Sequence, residues 1–228
     1  MRGYAICTAP RSGSNFLCQN LASTGLLGSP LEYFNGPGRR YFDDPSYPDD
    51  PGKQLKRILS MGATANGIYG LKLFAHQHDW ISDKVRWTEH LPKLKFVFLK
   101  RRDLLGQAIS WARAKQTGQF RHTQPAQSQA EYHADNIAWC LTAVANEYAR
   151  WEVYFARNDI APLRLTYEDI TAMPQAAVDS VASLVELAGR PTIAPGLVGV
   201  RIQRDGVTES WRRRFLAERH DPNVVDHL

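Results

Sequence analysis

Two kinds of apolar segment alternate along this chain of 228 residues. Short runs with the composition of buried strands are separated by longer runs whose apolar residues recur at helical spacing. The predicted strands are 4–9, 68–74, 95–99 and 162–166, and the predicted helices are 15–24, 79–90, 103–115, 129–157 and 174–188. This alternation predicts an α/β fold with a mainly parallel sheet flanked by helices on both faces. Ligands bind at the carboxyl ends of the strands in such folds.

Length and composition limit the class of protein further. The chain has the length of a single domain, which we place at residues 1–228, and 43% hydrophobic with 22% charged residues is ordinary for a globular protein. No apolar run approaches the ~20 residues that a membrane span needs. The N-terminus lacks the apolar core of a secretory signal, and three cysteines without a close pair fit a reducing compartment. We therefore expect a soluble, cytoplasmic protein.

The net charge of +5 suits an anionic ligand. Basic clusters at residues 100–102 and 212–214 leave nucleic acid as one interpretation and a solvated surface as the other. Because the remaining acids and bases are interleaved, we expect no nucleic-acid partner. Two polar stretches, 35–53 and 116–129, are predicted to be excursions from the core, and the tryptophans at 80, 87, 139 and 151 are predicted to be core residues.

The first predicted strand runs through a polar loop directly into a helix. This first loop, residues 8–15, has the sequence TAPRSGSN. A helix N-terminus binds phosphate or sulfate, Gly13 allows close backbone approach, and Arg11 adds a full positive charge. The loop is not a Walker A motif, because no lysine follows the glycine, nor a tyrosine-phosphatase loop. The alternative is a turn that only caps the helix.

A second basic loop follows the third predicted strand. This basic turn, residues 100–102, precedes a helix that carries Ser110. Either Arg101 or Arg102 can join Ser110 in binding one further phosphate. The alternative is a solvated turn with a serine that hydrogen-bonds to its own helix. Two anion sites at one sheet edge predict a ligand with two separated phosphate groups.

These motifs together resemble those of PAPS-dependent sulfotransferases. TAPRSGSNF resembles the 5′-phosphosulfate loop of that family, RRDLLGQAIS its 3′-phosphate motif, and LTYEDI a segment common in the superfamily. Residues 201–207 with Trp211 are similar to the late basic loop that closes over the nucleotide. GSPLEYF, GLKL and AEYHA look like segments of the bacterial trehalose 2-sulfotransferase family. The resemblance implies a P-loop kinase-like sulfotransferase fold and a possible homodimer.

The resemblance also implies ligands and residue roles. PAPS would donate a sulfuryl group to a hydroxyl of a sugar or glycolipid, with trehalose as one possibility, and 3′,5′-ADP would be the product. Arg11 and Glu32 would be catalytic, Glu32 as the general base; the alternative for Glu32 is an ordinary loop residue. The donor-binding residues would be Arg11, Ser12, Gly13, Ser14, Asn15, Arg101, Arg102, Ser110, Arg204 and Trp211. The acceptor-binding residues would be Glu32, Tyr33, Phe34, Lys72 and His133.

Three other interpretations compete with this one. His76 and His78 would share one face if they lay on a strand, but no third ligand follows at a suitable spacing, so we expect no metal. A small-molecule kinase could use the same first loop, although the Walker lysine is missing. A nucleotide-binding protein without catalysis is the non-enzymatic alternative.

Overall fold

A four-stranded sheet forms the centre of the computed structural model, which describes residues 1–120, 124–200 and 206–225. Its strands are β1 (Arg2–Thr8), β2 (Ile68–Phe74), β3 (Leu94–Lys100) and β4 (Leu163–Thr166). They lie in the order β2-β1-β3-β4, and every neighbouring pair is parallel. The predicted α/β class with a mainly parallel sheet is confirmed.

Helices connect the strands and cover both faces of the sheet. They are α1 (Ser14–Ser23), α2 (Gly36–Phe42), α3 (Pro51–Met61), α4 (Ala75–Ser82), α5 (Leu104–Thr117), α6 (Ala134–Arg157), α7 (Tyr167–Ala172), α8 (Pro174–Leu184) and α9 (Gly206–Arg219). Short 3₁₀ turns occupy Trp87–His90 and Pro195–Leu197. Within the described ranges, no helix has the length and apolarity that crossing a bilayer requires.

The two faces of the sheet support separate hydrophobic clusters. Ala5 and Cys7 of β1 point into a cluster that includes residues of α3, α4 and α6. Tyr4 and Ile6, the alternate residues of the same strand, point into a second cluster that includes α1 and α8. This period of two follows from the pleat of a strand. Its consequence is that β1 is buried on both faces and reads as a continuous apolar run.

The strand order creates a crevice between β1 and β3. From β1 the chain goes first to one side, to β2, and later to the other side, to β3. The loops that leave β1 and β3 therefore diverge at the carboxyl edge, which is the topological switch point of an open parallel sheet. The first loop and the basic turn are these two loops.

The predicted excursion at 35–53 contains helix α2 and the start of α3. Asn35 caps α2 by accepting from the Gly38 N–H at 3.0 Å, and Asp50 caps α3 by accepting from the Lys53 N–H at 2.7 Å. Both helices carry proline in their first turn, where its missing N–H costs nothing. The residues taken as loop signals are helix-start signals here. The predicted helix 79–90 is also shifted, because α4 begins at Ala75 and ends before the 3₁₀ turn.

The four tryptophans predicted to be core residues differ in burial, and Trp80 is partly buried against the cluster that contains Cys7. Trp87 and Trp151 are buried at 1% exposure, which confirms the prediction for them. Trp139 is 54% exposed, so the prediction for it was wrong. Trp139 lies two positions after Ile137, which is on the buried seam of α6, and two residues turn the helix by about 200°.

Candidate functional site

The first loop turns sharply into α1 through two left-handed residues. Arg11 has φ of 61° and Gly13, the N-cap of α1, has φ of 82°. A Cβ added to Gly13 would lie 2.4 Å from Cδ2 of Tyr167, so only glycine fits there. No described side chain caps the N-terminus of α1. Its first N–H groups and its positive dipole end are therefore available to an anion.

The side chain of Arg11 joins the two predicted anion sites. Its Nε donates to Oγ of Ser110 on α5 at 3.1 Å, and Nη1 donates to the carbonyl oxygen of Phe120 at 2.6 Å. The neighbouring Ser12 is fully buried, and its Oγ lies 2.7 Å from the hydroxyl oxygen of Thr8. Arg11 of the first loop is thus in direct contact with Ser110, the predicted serine of the second anion site.

Three guanidinium groups converge on this site. Burial lowers the pKa of Arg11, and the positive charges of Arg101 and Arg113 lower it further. Arg101 lies over the ring of Tyr167, with its central carbon 4.6 Å from the ring centroid. Among the described residues, no hydrogen-bond acceptor reaches the buried Nε of Arg101. Clustered cations with an unsatisfied buried donor are suited to a bound anion.

Of the two candidate arginines in the basic turn, Arg101 is the one that faces this cluster. The Arg102 side chain is 63% exposed and binds two carboxylates, those of Glu168 and Asp169. Its Nη2 donates to Asp169 at 3.0 Å. Arg102 therefore ties the basic turn to α7, and its charge is balanced by acidic side chains.

A chain of buried hydrogen bonds fixes the position of the first loop relative to the basic turn. Gln107 of α5 donates from Nε2 to the carbonyl oxygen of Pro10 at 2.6 Å and accepts from the Tyr148 hydroxyl at 3.0 Å. The backbone N–H of Arg101 donates to the same hydroxyl at 3.1 Å. Sequence patterns did not indicate these hydrogen bonds. The signal that could have indicated them is Gln107, a glutamine within the apolar stripe of the helix that carries Ser110.

Glu32 is brought to the carboxyl edge of the sheet by a short backbone pairing. Leu31 forms a parallel bridge with Leu71, and the N–H of Lys72 donates to the carbonyl oxygen of Leu31 at 2.9 Å. Lys72 is only 4% exposed. Its Nζ lies 2.8 Å from Oε1 of Glu32 and donates to Oδ1 of Asn15 at 2.6 Å. The predicted base, Lys72 and the first loop are thus in direct contact.

Two amides complete the surroundings of Glu32. Oε2 accepts from Nδ2 of Asn35 at 2.9 Å and from Nε2 of Gln77 at 3.0 Å. Burial would raise the pKa of Glu32, but the Lys72 ammonium and the hydrogen bonds from Lys72, Gln77 and Asn35 lower it to about 2. The carboxylate is therefore ionised at neutral pH, and 22% of the side chain remains exposed to solvent.

The other predicted acceptor residues lie away from this group. Tyr33 and Phe34 are buried in the cluster on the α6 face of the sheet, at 0% and 4% exposure. Tyr33 donates its hydroxyl to the Ser29 carbonyl at 2.8 Å, so its side chain is tied to the backbone that precedes Glu32. The His133 side chain is 55% exposed at the start of α6, where its ring lies 3.9 Å from a carboxylate oxygen of Glu131. Their roles toward an acceptor stay predictions.

Two residues assigned to the late basic loop can be placed only in part. Arg204 lies outside the described residues. Trp211 is 7% exposed and packs in a cluster with Ala108 and Ile109 of α5, with its ring edge-on to Tyr132. The Trp211 ring therefore contributes to packing between α5 and α9, and its contact with a nucleotide stays a prediction.

The histidine pair considered as a metal site lies on α4, not on a strand. Nδ1 of His76 lies 2.8 Å from Oε1 of Glu147. His78 packs edge-on to Trp87 and Trp151, and burial lowers its pKa to about 4, with Arg150 and Arg157 contributing. Side chains that are two positions apart on a helix point in different directions. The described ranges hold no group of three or more His, Cys, Asp or Glu side chains arranged for a metal.

Comparison with known proteins shows the family to which this chain is related. The family model described as Stf0 sulphotransferase matches residues 3–218. Trehalose 2-sulfotransferase of Mycobacterium tuberculosis is 28% identical, with 96% of each chain covered. Trehalose 2-sulfotransferase of Mycolicibacterium smegmatis is 26% identical, with 93% of each chain covered. The solved sulfotransferase domain of the Synechococcus PCC 7002 olefin synthase is 15% identical with a TM-score of 0.44, and 94% of each chain is covered.

Proposed function

Because this chain belongs to the Stf0 sulphotransferase family, we propose that it transfers a sulfuryl group from PAPS to a hydroxyl of a carbohydrate acceptor. Two curated relatives are trehalose 2-sulfotransferases, so trehalose and glycolipids that contain a similar sugar are the first acceptors to test. Within this proposal, residues 1–228 act as one catalytic domain.

Two groups of residues would bind the two anionic ends of the donor. The N-terminal amides of α1 would hold the 5′-phosphosulfate, with Ser12 and Ser14 as further donors. The unsatisfied Nε of Arg101 and the hydroxyl of Ser110 would bind the 3′-phosphate. Arg11, which reaches from the first loop to Ser110, would supply positive charge between the two anionic groups. This division favours Arg101 over Arg102 as the 3′-phosphate ligand.

Transfer would occur in one in-line step. The acceptor oxygen attacks sulfur, the bond between sulfur and the bridging phosphate oxygen breaks, and 3′,5′-ADP leaves with the electron pair. Glu32 takes the proton of the acceptor hydroxyl. Positioning and charge stabilisation do most of the work in such transfers, and a positioned base adds about 10²–10⁴-fold. A metal ion has no assigned part in this mechanism.

One observation carries the proposal: Lys72 Nζ contacts both Glu32 and Asn15, at 2.8 and 2.6 Å. Asn15 belongs to the first loop, which would bind the transferred group, and Glu32 is the proposed base. Their shared contact supports a base within reach of an acceptor hydroxyl beside the bound donor. A capping turn and an ordinary loop glutamate would have no reason to be joined through a buried lysine.

The test is incubation of the protein with sulfur-labelled PAPS and a panel of trehalose, other disaccharides, monosaccharides and extracted glycolipids. We expect mass spectrometry to find a sulfate adduct on at least one sugar, together with 3′,5′-ADP. A parallel incubation with ATP tests the kinase interpretation, and a phosphate adduct there would overturn the proposal. Tight binding of 3′,5′-ADP without turnover on any acceptor would favour a nucleotide-binding protein instead.

A further inference from the structure

Lys72 is a buried cation in an otherwise apolar strand. Its neighbours in β2, Leu71 and Leu73, are fully buried, and Lys72 itself is 4% exposed. Burying an ammonium is costly unless charges and hydrogen bonds compensate it. Glu32 provides the charge and Asn15 provides a hydrogen-bond acceptor. The position of Lys72 is therefore maintained by Glu32, the proposed base, and by Asn15, a residue of the loop that would bind the donor.

The two partners of Lys72 differ in how they depend on the ligand. Glu32 keeps the same charge whether or not a nucleotide is present, and it has two amide donors besides Lys72. Asn15 is neutral, but it stands at the N-terminus of α1, where a phosphosulfate would bring negative charge. An anion there competes with Glu32 for the same ammonium group.

We propose that Lys72 couples occupancy of the first loop to the strength of Glu32 as a base. In the free enzyme the ammonium pairs with Glu32 and keeps the carboxylate weakly basic. When the donor binds, the ammonium turns toward the donor at Asn15, and Glu32 is left with only the two neutral amides of Asn35 and Gln77. Lys72 acts on Glu32 through its position and its charge, so toward the base it is a positioning residue. The inference rests on the proposed function.

Among the described groups that face Glu32, Lys72 is the charged one that a bound donor could attract. Asn35 precedes α2 and Gln77 lies on α4, and both are neutral amides. The thiol of Cys18 on α1 also faces the pair, but burial raises its pKa to about 12. It therefore stays uncharged at neutral pH. Among the described groups acting on the carboxylate, the charge of Lys72 is the one that holds it ionised most strongly.

The coupling gives the enzyme a specific advantage. A strong base beside an empty first loop would have no productive use, whereas a base that strengthens on donor binding acts when the sulfuryl group is in place. Because an opposite charge within ~4–6 Å lowers a carboxyl pKa by about 1–3 units, moving the ammonium away raises the pKa of Glu32 by a comparable amount. The donor and the proton on Glu32 are then thermodynamically linked.

The experiment measures the titration of Glu32 directly, by NMR of isotope-labelled glutamate side chains, assigned with the Glu32→Gln variant. In the free wild-type protein we expect Glu32 to titrate well below the ordinary range. Saturation with 3′,5′-ADP, whose 5′-phosphate occupies the first loop, should raise the midpoint by about 1–3 pH units. This measurement needs no turnover, and it uses the Glu32→Gln variant only for the assignment.

Two variants separate movement of Lys72 from simple repulsion by the nucleotide. In Lys72→Met, Glu32 should titrate nearer the ordinary range, and 3′,5′-ADP should shift its midpoint less than in wild type. The matched control is Gln77→Met, which also removes a hydrogen bond to Glu32. Unlike Lys72, Gln77 is neutral, so the nucleotide-dependent shift in this variant should equal that of wild type. An unmoved Glu32 midpoint in wild type with nucleotide bound, or an equal shift in Lys72→Met, overturns the coupling while leaving the proposed function intact. Failure of 3′,5′-ADP to bind overturns both.

Discussion

Arg11 donates from Nε to the hydroxyl oxygen of Ser110 across the carboxyl edge of the sheet, at 3.1 Å. The two residues are far apart in sequence, and each belongs to a different anion motif. Their contact joins the first loop to α5, the helix that follows the basic turn. In the proposed function, the ligand that spans the two motifs carries an anionic group at each end, as a 3′,5′-bisphosphorylated nucleotide does.

The nucleotide site predicts that 3′,5′-ADP stabilises the protein against heat far more than AMP, which lacks the 3′-phosphate. At a concentration of ~100 Kd the gain is about 2.7 kcal/mol, equivalent to a Tm increase of several degrees for a chain of this size. Arg101→Met should weaken 3′,5′-ADP binding by about 10- to 100-fold, since a charge-assisted hydrogen bond contributes about 1.5–3 kcal/mol. Differential scanning fluorimetry and calorimetric titration provide both measurements.

Arg102→Met is the matched control for this nucleotide prediction. It removes the same charge from the adjacent position, but Arg102 is exposed and paired with Glu168 and Asp169. We expect near-normal nucleotide affinity. Equal stabilisation by AMP and 3′,5′-ADP, or a larger loss in Arg102→Met than in Arg101→Met, would contradict the assignment.

Glu32→Gln keeps the size of the side chain and removes the proton acceptor. If Glu32 is the base, kcat falls by about 10²–10⁴-fold, while 3′,5′-ADP affinity does not fall below that of wild type, because the neutral glutamine leaves Lys72 free to face the nucleotide. A rise in KM for the acceptor with little change in kcat would instead mean that Glu32 only binds the sugar. Steady-state kinetics with both substrates varied distinguishes these results, and an unchanged kcat would redirect the search to His133 or Lys72.

The Glu32–Lys72 pair also predicts coupled stability. Either Glu32→Gln or Lys72→Met leaves a partly buried group without its partner, so each single variant should unfold more easily than wild type. The double variant should be less destabilised than the sum of the two, with a coupling energy of about 0.5–3 kcal/mol. Chemical denaturation of the four proteins in the cycle measures it. Additive effects would show that the contact contributes nothing to stability.

The pH dependence of this coupling follows from the lowered pKa of Glu32. The folded value of about 2 is below the unfolded value of about 4.3, so protonation favours the unfolded chain. The stability that the pair contributes is therefore fully present at pH values above the unfolded pKa of Glu32. It is lost as the pH falls toward the folded pKa of about 2. The measured coupling energy should be constant near neutral pH and should decrease in acid. A coupling that grows on acidification would have the wrong sign for this pair.

Gly13→Ala tests whether the first loop requires glycine. The residue has φ of 82°, and an added Cβ would lie 2.4 Å from the ring of Tyr167. Gly25→Ala is the control, because Gly25 has φ of 65° but no atom within 4 Å of its added Cβ. Both substitutions cost roughly 1–2 kcal/mol in backbone strain. Gly13→Ala should cost more than Gly25→Ala and should also weaken 3′,5′-ADP binding, as measured by denaturation and calorimetric titration.

Independence from metal ions is the last prediction. Arg11 and Arg101 bring positive charge to the site without a cation, and no carboxylate or histidine set was found for one in the described ranges. We expect full activity after dialysis against EDTA. Loss of sulfuryl transfer in EDTA that a single divalent ion restores would contradict this prediction.

Local sequence patterns determined the elements and the motifs. Short apolar segments predicted the four strands of the sheet. The reason is clearest for β1 and β2, which are buried along almost their whole length and therefore consist mostly of apolar residues. The order of the motifs indicated a sulfotransferase, and the match of the family model confirms that resemblance. Composition was a poorer guide where one residue type has two uses. Glycine, proline and aspartate at 35–53 suggested an excursion, yet Asn35 and Asp50 begin helices.

The tertiary structure decided which of these residues meet. Two adjacent arginines have the same local chemistry, and only packing turns Arg101 toward Tyr167 and Arg102 toward the carboxylates of α7. The contact between Glu32 and Lys72 likewise depends on the bridge between Leu31 and Leu71, which joins segments about forty residues apart. Local periodicity reports which face of an element is buried, but not what it is buried against. Parallel strands gather their following loops at one edge, and that long-range geometry builds the site.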